Sequence, residues 1–255
     1  MEATKNKKIT DLVGSEGKVL PIVPTEQRNI SECGVAAVLS MLKPFINIDM
    51  NDIDAWEEKH LYKITAMGLD TVELLRLIQH IADTFPMANG EKLRGEVKVF
   101  TDFNAIDEYS RREQKERGGD FPSMTRNIYK SFGHTFSSDF YQHRLTLDEI
   151  YKEVEAGNYI IADVGNHWVL VYGILNGENE KVLCIMDPFG GESRLKDIHG
   201  KADFYNYMKE LNKKYMNPKE IVGFNEKDFG KTNPDEIKYV DRKFDAVSVA
   251  ITSTQ

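Results

Sequence analysis

The chain has 255 residues, a length that suits one large domain with a substantial hydrophobic core. Hydrophobic residues make up 41% of it and aromatic residues 10%, which excludes an intrinsically disordered chain. The formal net charge of −8 excludes a general affinity for nucleic acid, and it makes an anionic membrane surface an unsuitable partner.

The sequence also bears on the cellular location of the protein. No segment reaches the roughly 20 consecutive apolar residues that a membrane-spanning helix needs. The start, MEATKNKKITDLVGSEGKVL, lacks the apolar core of a secretory signal peptide. The only two cysteines, Cys33 and Cys184, do not make a disulfide framework in so long a chain, and they indicate a reducing compartment. We therefore expect a cytoplasmic protein, or one exported by a route that needs no signal peptide.

The first third of the chain predicts an arm followed by two helices. Residues 1–25 end in LPIVPT, whose prolines favour extended backbone, and we interpret them as an N-terminal arm. Residues 33–42 have a helical pattern that Pro44 ends. Residues 71–85 carry an apolar stripe at helical spacing, with Asp70 or the threonine after it as the N-cap.

The rest of the chain predicts further helices and most of the strands. Residues 146–158 indicate a helix with Thr146 at the N-cap, a glutamate three residues on, and Gly157 as the C-cap. The charged segment 107–123 favours a solvated helix end and loop, or a mobile flap beside the substrate, and residues 195–240 look helical and then coil-rich. The predicted strands are 95–103, 159–164, 167–174, 181–187 and 244–251.

Cys33 lies directly before a glycine and an apolar run, at the start of a predicted helix. Helix N-termini carry unpaired N–H groups and a partial positive charge, which stabilise a thiolate over a thiol. We expect Gly34 to leave room for a substrate, and the apolar helix to hold a nucleophile still. The alternative is a structural cysteine at a helix start, and position alone does not decide between the two.

Three polar residues elsewhere could complete a site around Cys33. His167 opens one predicted strand and Asp187 ends the next, so neighbouring antiparallel strands would bring them together. Gln27 and the backbone N–H of the cysteine could hold an oxyanion. The alternatives are a packing histidine, an Asp-Pro turn and a solvent-exposed glutamine. Beside His167, Asn166 could contact substrate and Trp168 could shield the ring, although Trp168 could equally belong to the core.

These motifs together resemble a known family. The pattern Q-x5-C-G before a helix of small residues, then GNHWVLVYG and MDPF, resembles the C39-like branch of the papain-like cysteine peptidases. The segments EIYKEVEAGNYIIADVGNHWVLVYGI and MGLDTVELLRLI are similar to parts of the same family. The resemblance implies a nucleophile at Cys33, a base at His167, an orienting acid at Asp187 and an oxyanion donor at Gln27.

The resemblance also implies an α+β fold of the papain-like type, as a single domain over residues 1–255. In that fold an N-terminal helical part with the cysteine packs on an antiparallel sheet that carries the histidine and the acid. Residues 86–140, an expected insertion, and residues 195–255, an expected C-terminal extension with a closing strand, exceed the family's basic fold. We expect these parts to set the choice of substrate, so cleavage after a double-glycine leader is not implied.

Several functions remain open at this point. If the sulfur attacks a main-chain amide and water then hydrolyses the thioester, the protein is a protease, which is the function that we favour. Attack on a glutamine side chain gives a deamidase, an amine acceptor gives an acyltransferase, and a fold without turnover gives a binding module. Stand-alone papain-like enzymes, among them effectors that bacteria inject into other cells, use each catalytic outcome on proteins or peptides. No metal ion or cofactor is expected, since no C-x-x-C or H-x-x-x-H spacing is present, and Cys184 lies in an apolar strand.

Overall fold

A central sheet between two pairs of helices forms the fold. The computed structural model describes residues 17–56, 69–102, 135–164, 167–177, 179–189, 195–215 and 243–252. In these residues the sheet has eight strands and is mixed, because one pair of its strands is parallel. The expected combination of helices and sheet is therefore confirmed, and the sheet departs from the expected antiparallel pairing at that one pair of strands.

The strands of the described residues, numbered along the chain, are β1 (Gly17–Val19), β2 (Arg94–Phe100), β3 (Phe136–Tyr141), β4 (Leu145–Thr146), β5 (Tyr159–Asp163), β6 (Trp168–Asn176), β7 (Lys181–Met186), β8 (Leu195–His199), β9 (Lys243–Phe244) and β10 (Ala246–Thr252). The main sheet has the order β3-β2-β10-β5-β6-β7-β8. Strand β1 is the eighth strand, and it pairs with the second half of β6, whereas β5 pairs with the first half. Strands β2 and β3 are the parallel pair, and β4 and β9 form a separate ribbon.

Local capping signals fix the ends of the helices, which are α1 (Cys33–Leu42), α2 (Thr71–Thr84), α3 (Leu147–Ala156) and α4 (Gly200–Tyr215). The Asp70 carboxylate accepts two backbone N–H bonds from the first turn of α2. Thr146 and Glu149 form the expected capping box of α3, and Gly157 ends that helix with a φ of 93°. No helix of the described residues is long and apolar enough to cross a membrane.

Both faces of the sheet are buried at its central strands. Along β5, Ile161 packs into a core shared with α1 and α2, whereas Ile160 and Ala162 pack into a second core shared with α3 and α4. All ten residues of α1 are buried, which accounts for its apolar sequence on every side. The helix that begins with Cys33 is therefore held rigidly inside the molecule.

Three segments add to or differ from the sequence-based expectations. Within the expected insertion, β2 and β3 join the main sheet, while all of residues 107–123 lies outside the described residues. The described end of the expected N-terminal arm, residues 17–25, pairs with β6 through β1. Residues 195–199 form strand β8, whereas the sequence pattern predicts a helix there. The pattern gives no sign of the strand because this edge strand has a single buried residue, Ile198, and no alternation of apolar residues.

Candidate active site

Cys33 is positioned by a tight turn directly before α1. A short 3₁₀ helix, Ile30–Glu32, precedes it and carries a capping box formed by Asn29 and Glu32. The buried Glu32 carboxylate accepts the backbone N–H of Arg28 at 2.7 Å and also pairs with the Arg28 guanidinium at 3.1 Å. These contacts fix the chain up to the cysteine, whose side chain is 4% exposed.

His167 and Asp187 meet at one end of the sheet. His167 directly precedes β6 and Asp187 directly follows β7, and these neighbouring antiparallel strands place Leu170 opposite Met186. The same register brings the start of β6 beside the end of β7. The His167 Nε2 atom lies 2.8 Å from Asp187 Oδ1, and both side chains are buried.

The sulfur of Cys33 lies at the start of β6, next to the histidine. The backbone N–H of Trp168 donates to Cys33 Sγ at 3.5 Å, and Cys33 is also a hydrogen-bond partner of the His167 side chain. Because Nε2 of the ring is bonded to Asp187, Nδ1 is the ring nitrogen left for the sulfur. A thiol, an imidazole and a carboxylate are thus in contact in series, although Cys33 and Asp187 are 154 residues apart in the chain.

The electrostatics of the site favour a charged imidazole. Burial lowers the pKa of His167, but the hydrogen bonds to Asp187 and Cys33 and the charges of both outweigh burial and raise the pKa to about 9. Burial raises the pKa of Asp187, but the His167 ring and the donors on Phe189 and Tyr207 hold it below its usual value. The pair is therefore built to hold an imidazolium beside a carboxylate and a sulfur.

Gln27 lies between the two halves of the site. Its backbone N–H donates to the Pro188 carbonyl at 3.2 Å, and its side-chain Nε2 donates to the Asn29 carbonyl at 2.9 Å. The side chain is buried, and its Oε1 has no hydrogen-bond partner. Gln27 is thus tied both to the residue after Asp187 and to the turn that leads into Cys33, and the bond to Asn29 uses one of the two hydrogens on its Nε2.

Two of the residues predicted to lie beside a substrate, Gly34 and Trp168, pack against the protein core. A Cβ atom at Gly34 would lie 2.9 Å from the Leu74 side chain and 3.2 Å from Trp168, so protein fills the space next to this glycine. The Trp168 indole N–H donates to the Leu69 carbonyl at 2.7 Å, and its side chain is buried. Asn166, the third residue expected to bind substrate, lies outside the described residues.

Tyr207 is a member of the cluster that the sequence did not single out. It lies on α4, and its hydroxyl donates to Asp187 Oδ2 at 3.0 Å. The backbone N–H of Phe189 donates to the other oxygen, Oδ1, at 3.0 Å. No local motif links a tyrosine in a charged helical segment to an aspartate twenty residues earlier, so only the fold brings them together.

Comparison with protein-family models, curated proteins and solved structures gives no match. Cys184, the second cysteine, is fully buried in β7, and burial raises its pKa to about 12, which disfavours its thiolate. Within the described part of the chain, no group of three or more His, Cys, Asp or Glu residues could hold a metal ion. The cluster thus brings a thiol, an imidazole and a carboxylate into contact.

Proposed function

We propose that the protein is a cysteine peptidase of the papain-like, C39-like type, acting on a protein or peptide. Cys33 is the nucleophile, His167 the base and general acid, Asp187 the residue that orients the ring, and Gln27 a donor to the oxyanion. The observation that carries the proposal is the unbroken line of contacts from the buried sulfur through the imidazole to the carboxylate. The order of these residues along helix, strand and strand supports the papain-like fold.

The reaction follows from these contacts. The Cys33 thiol gives its proton to His167, and the sulfur attacks the carbonyl carbon of the scissile amide. The resulting oxyanion is held by the Cys33 backbone N–H and the free amide hydrogen of Gln27. His167 then protonates the departing amine as the C–N bond breaks, which leaves a thioester. Water, deprotonated by the same ring, attacks the thioester, releases the acid and restores the thiol.

Selective alkylation tests whether the thiol is activated. At pH 6 an ordinary cysteine is about 0.3% ionised, so a thiolate held by an imidazolium reacts much faster with iodoacetamide. We expect rapid labelling of Cys33 alone, measured by intact mass and peptide mapping, and a loss of roughly 10-fold or more in rate in His167→Ala. Labelling of the wild-type protein at the rate of a free cysteine would favour a binding module instead.

The mass of a treated target separates the catalytic outcomes. Incubation with candidate proteins is expected to give fragments, and each new terminus identifies a cleaved bond. A gain of about one dalton without fragments would instead indicate deamidation of a glutamine, and addition of an amine would indicate acyl transfer. Either of these outcomes would contradict peptide-bond hydrolysis while leaving the activated thiol in place.

The raised pKa of His167 predicts an alkaline limit to hydrolysis. The imidazolium must protonate the departing amine, and with a pKa of about 9 it loses its proton above that pH. We expect kcat/KM on a cleaved target to fall by about tenfold per pH unit above pH 9. Alkylation of Cys33 needs only the thiolate, so the alkylation rate should not fall above pH 9. A hydrolysis rate that stays constant up to pH 10 would contradict this role of His167.

A further inference from the structure

We propose that Tyr207 is a positioning residue that sets the orientation and charge of Asp187, and through it the reactivity of the Cys33–His167 pair; this inference rests on the proposed function. Its hydroxyl donates to Asp187 Oδ2 at 3.0 Å, and Oδ2 is the carboxylate oxygen that His167 does not use. Helix α4 thereby adds a side chain to the series Cys33–His167–Asp187, whose members lie at the start of α1, directly before β6 and directly after β7.

The two oxygens of Asp187 are held from different directions. Oδ1 accepts from His167 Nε2 at 2.8 Å and from the Phe189 backbone N–H at 3.0 Å, whereas Oδ2 accepts from Tyr207. A carboxylate held at one oxygen can rotate about its Cβ–Cγ bond, and that rotation would turn Oδ1 away from the ring. The bond from Tyr207 blocks the rotation, so it fixes the plane in which His167 is oriented.

The chemistry of the donor also suits this role. Asp187 is 2% exposed, and a buried carboxylate must find donors to stay ionised. A neutral hydroxyl supplies one without introducing a second cation that would compete with the imidazolium. The ring of Tyr207 is partly buried against the second core, which holds its hydroxyl in place.

The variant Tyr207→Phe keeps the ring and removes only the hydroxyl. Without that donor the Asp187 carboxylate can turn about its Cβ–Cγ bond, so Oδ1 no longer holds the imidazolium as firmly beside the Cys33 sulfur. We expect the acidic limb of the alkylation rate of Cys33 to move up by about half a pH unit, so that the reaction is about threefold slower at pH 6. We also expect the downfield proton resonance of His167 Nε2–H to change position.

The matched control is Tyr205→Phe, two residues earlier on the same helix, whose ring packs edge-on against Phe204. This control should change neither readout. Should Tyr207→Phe fail to fold, replacement of the tyrosines by 3-fluorotyrosine strengthens the donor and is expected to move the same resonance in the opposite direction.

The outcomes separate the two proposals. If wild-type Cys33 reacts rapidly and Tyr207→Phe leaves both the pH profile and the resonance unchanged, the role of Tyr207 is refuted and the proposed function stands. A lowered melting temperature with both readouts unchanged also refutes that role, because it shows that the tyrosine is purely structural. If wild-type Cys33 reacts no faster than a free cysteine, the proposed function fails, and the role of Tyr207 fails with it.

Discussion

Replacing Cys33 or His167 by alanine is expected to abolish the formation of an acyl-enzyme. The activated ester p-nitrophenyl acetate acylates a reactive thiol without requiring a particular peptide sequence. The wild-type protein should therefore release one equivalent of nitrophenolate in a rapid burst. Removing the sulfur removes the bond that forms, and removing the ring removes the base that contacts the sulfur. We expect either change to lower the burst rate by roughly 10³-fold or more, into the background of spontaneous hydrolysis.

Cys184→Ala is the control for this experiment. It removes the other thiol, which is fully buried in β7, and should leave the burst intact provided that the protein folds. Peptide mapping after rapid quenching should find the acetyl group on Cys33 alone. An undiminished burst in a folded His167→Ala variant would show that the imidazole does not activate the sulfur.

Replacing Glu73 by glutamine is expected to stabilise the protein at alkaline pH by a few kcal/mol. This carboxyl group on α2 is 2% exposed. Burial and then the charge of Asp70 raise its pKa to about 8, against the lowering effect of the Asp70 backbone N–H and Arg76. In the unfolded chain the same group has a pKa of about 4.3. At one pKa unit per 1.36 kcal/mol, the difference sets an upper limit of about 5 kcal/mol.

The sign of this effect follows from which state holds the proton. Below pH 4 both states are protonated, so the group does not affect the free energy of unfolding. As the pH rises from about 4.3 to about 8, the unfolded state gains stability by ionising while the folded state stays protonated, and folding weakens. Urea titrations from pH 5 to pH 9 should show this decline in the wild-type protein and a flatter profile in Glu73→Gln. The exposed carboxyl of Glu96 provides the control, and an equal gain in Glu96→Gln would contradict the assignment to Glu73.

Those parts of the fold that local chemistry determines could be predicted from the sequence. Thr146, Glu149 and Gly157 lie within one helix and its caps, so their spacing alone indicates where α3 begins and ends. The strands next to the site could be predicted because their apolar runs are long. The contact between His167 and Asp187 followed from two adjacent strands joined by a short connection.

Features that depend on packing between distant segments could not be predicted. A glycine after a cysteine can make room for a ligand or for protein, and only the positions of Leu74 and Trp168 show that Gly34 does the latter. The parallel pairing of β2 with β3 depends on a long connection, which short-range patterns do not encode. Tyr207 was missed for the same reason, since its partner lies on another element.

The central position of β10 has a consequence for how the protein is made. Residues 246–252 pair with β2 on one side and β5 on the other, so they join two halves of a sheet that are synthesised long before them. While a ribosome is still translating the chain, β2 and β5 present unpaired edges that can associate with other nascent chains. A stop codon or proteolytic cut ahead of residue 246 should therefore yield insoluble polypeptide, and a chaperone that shields those edges should raise the yield of the intact product.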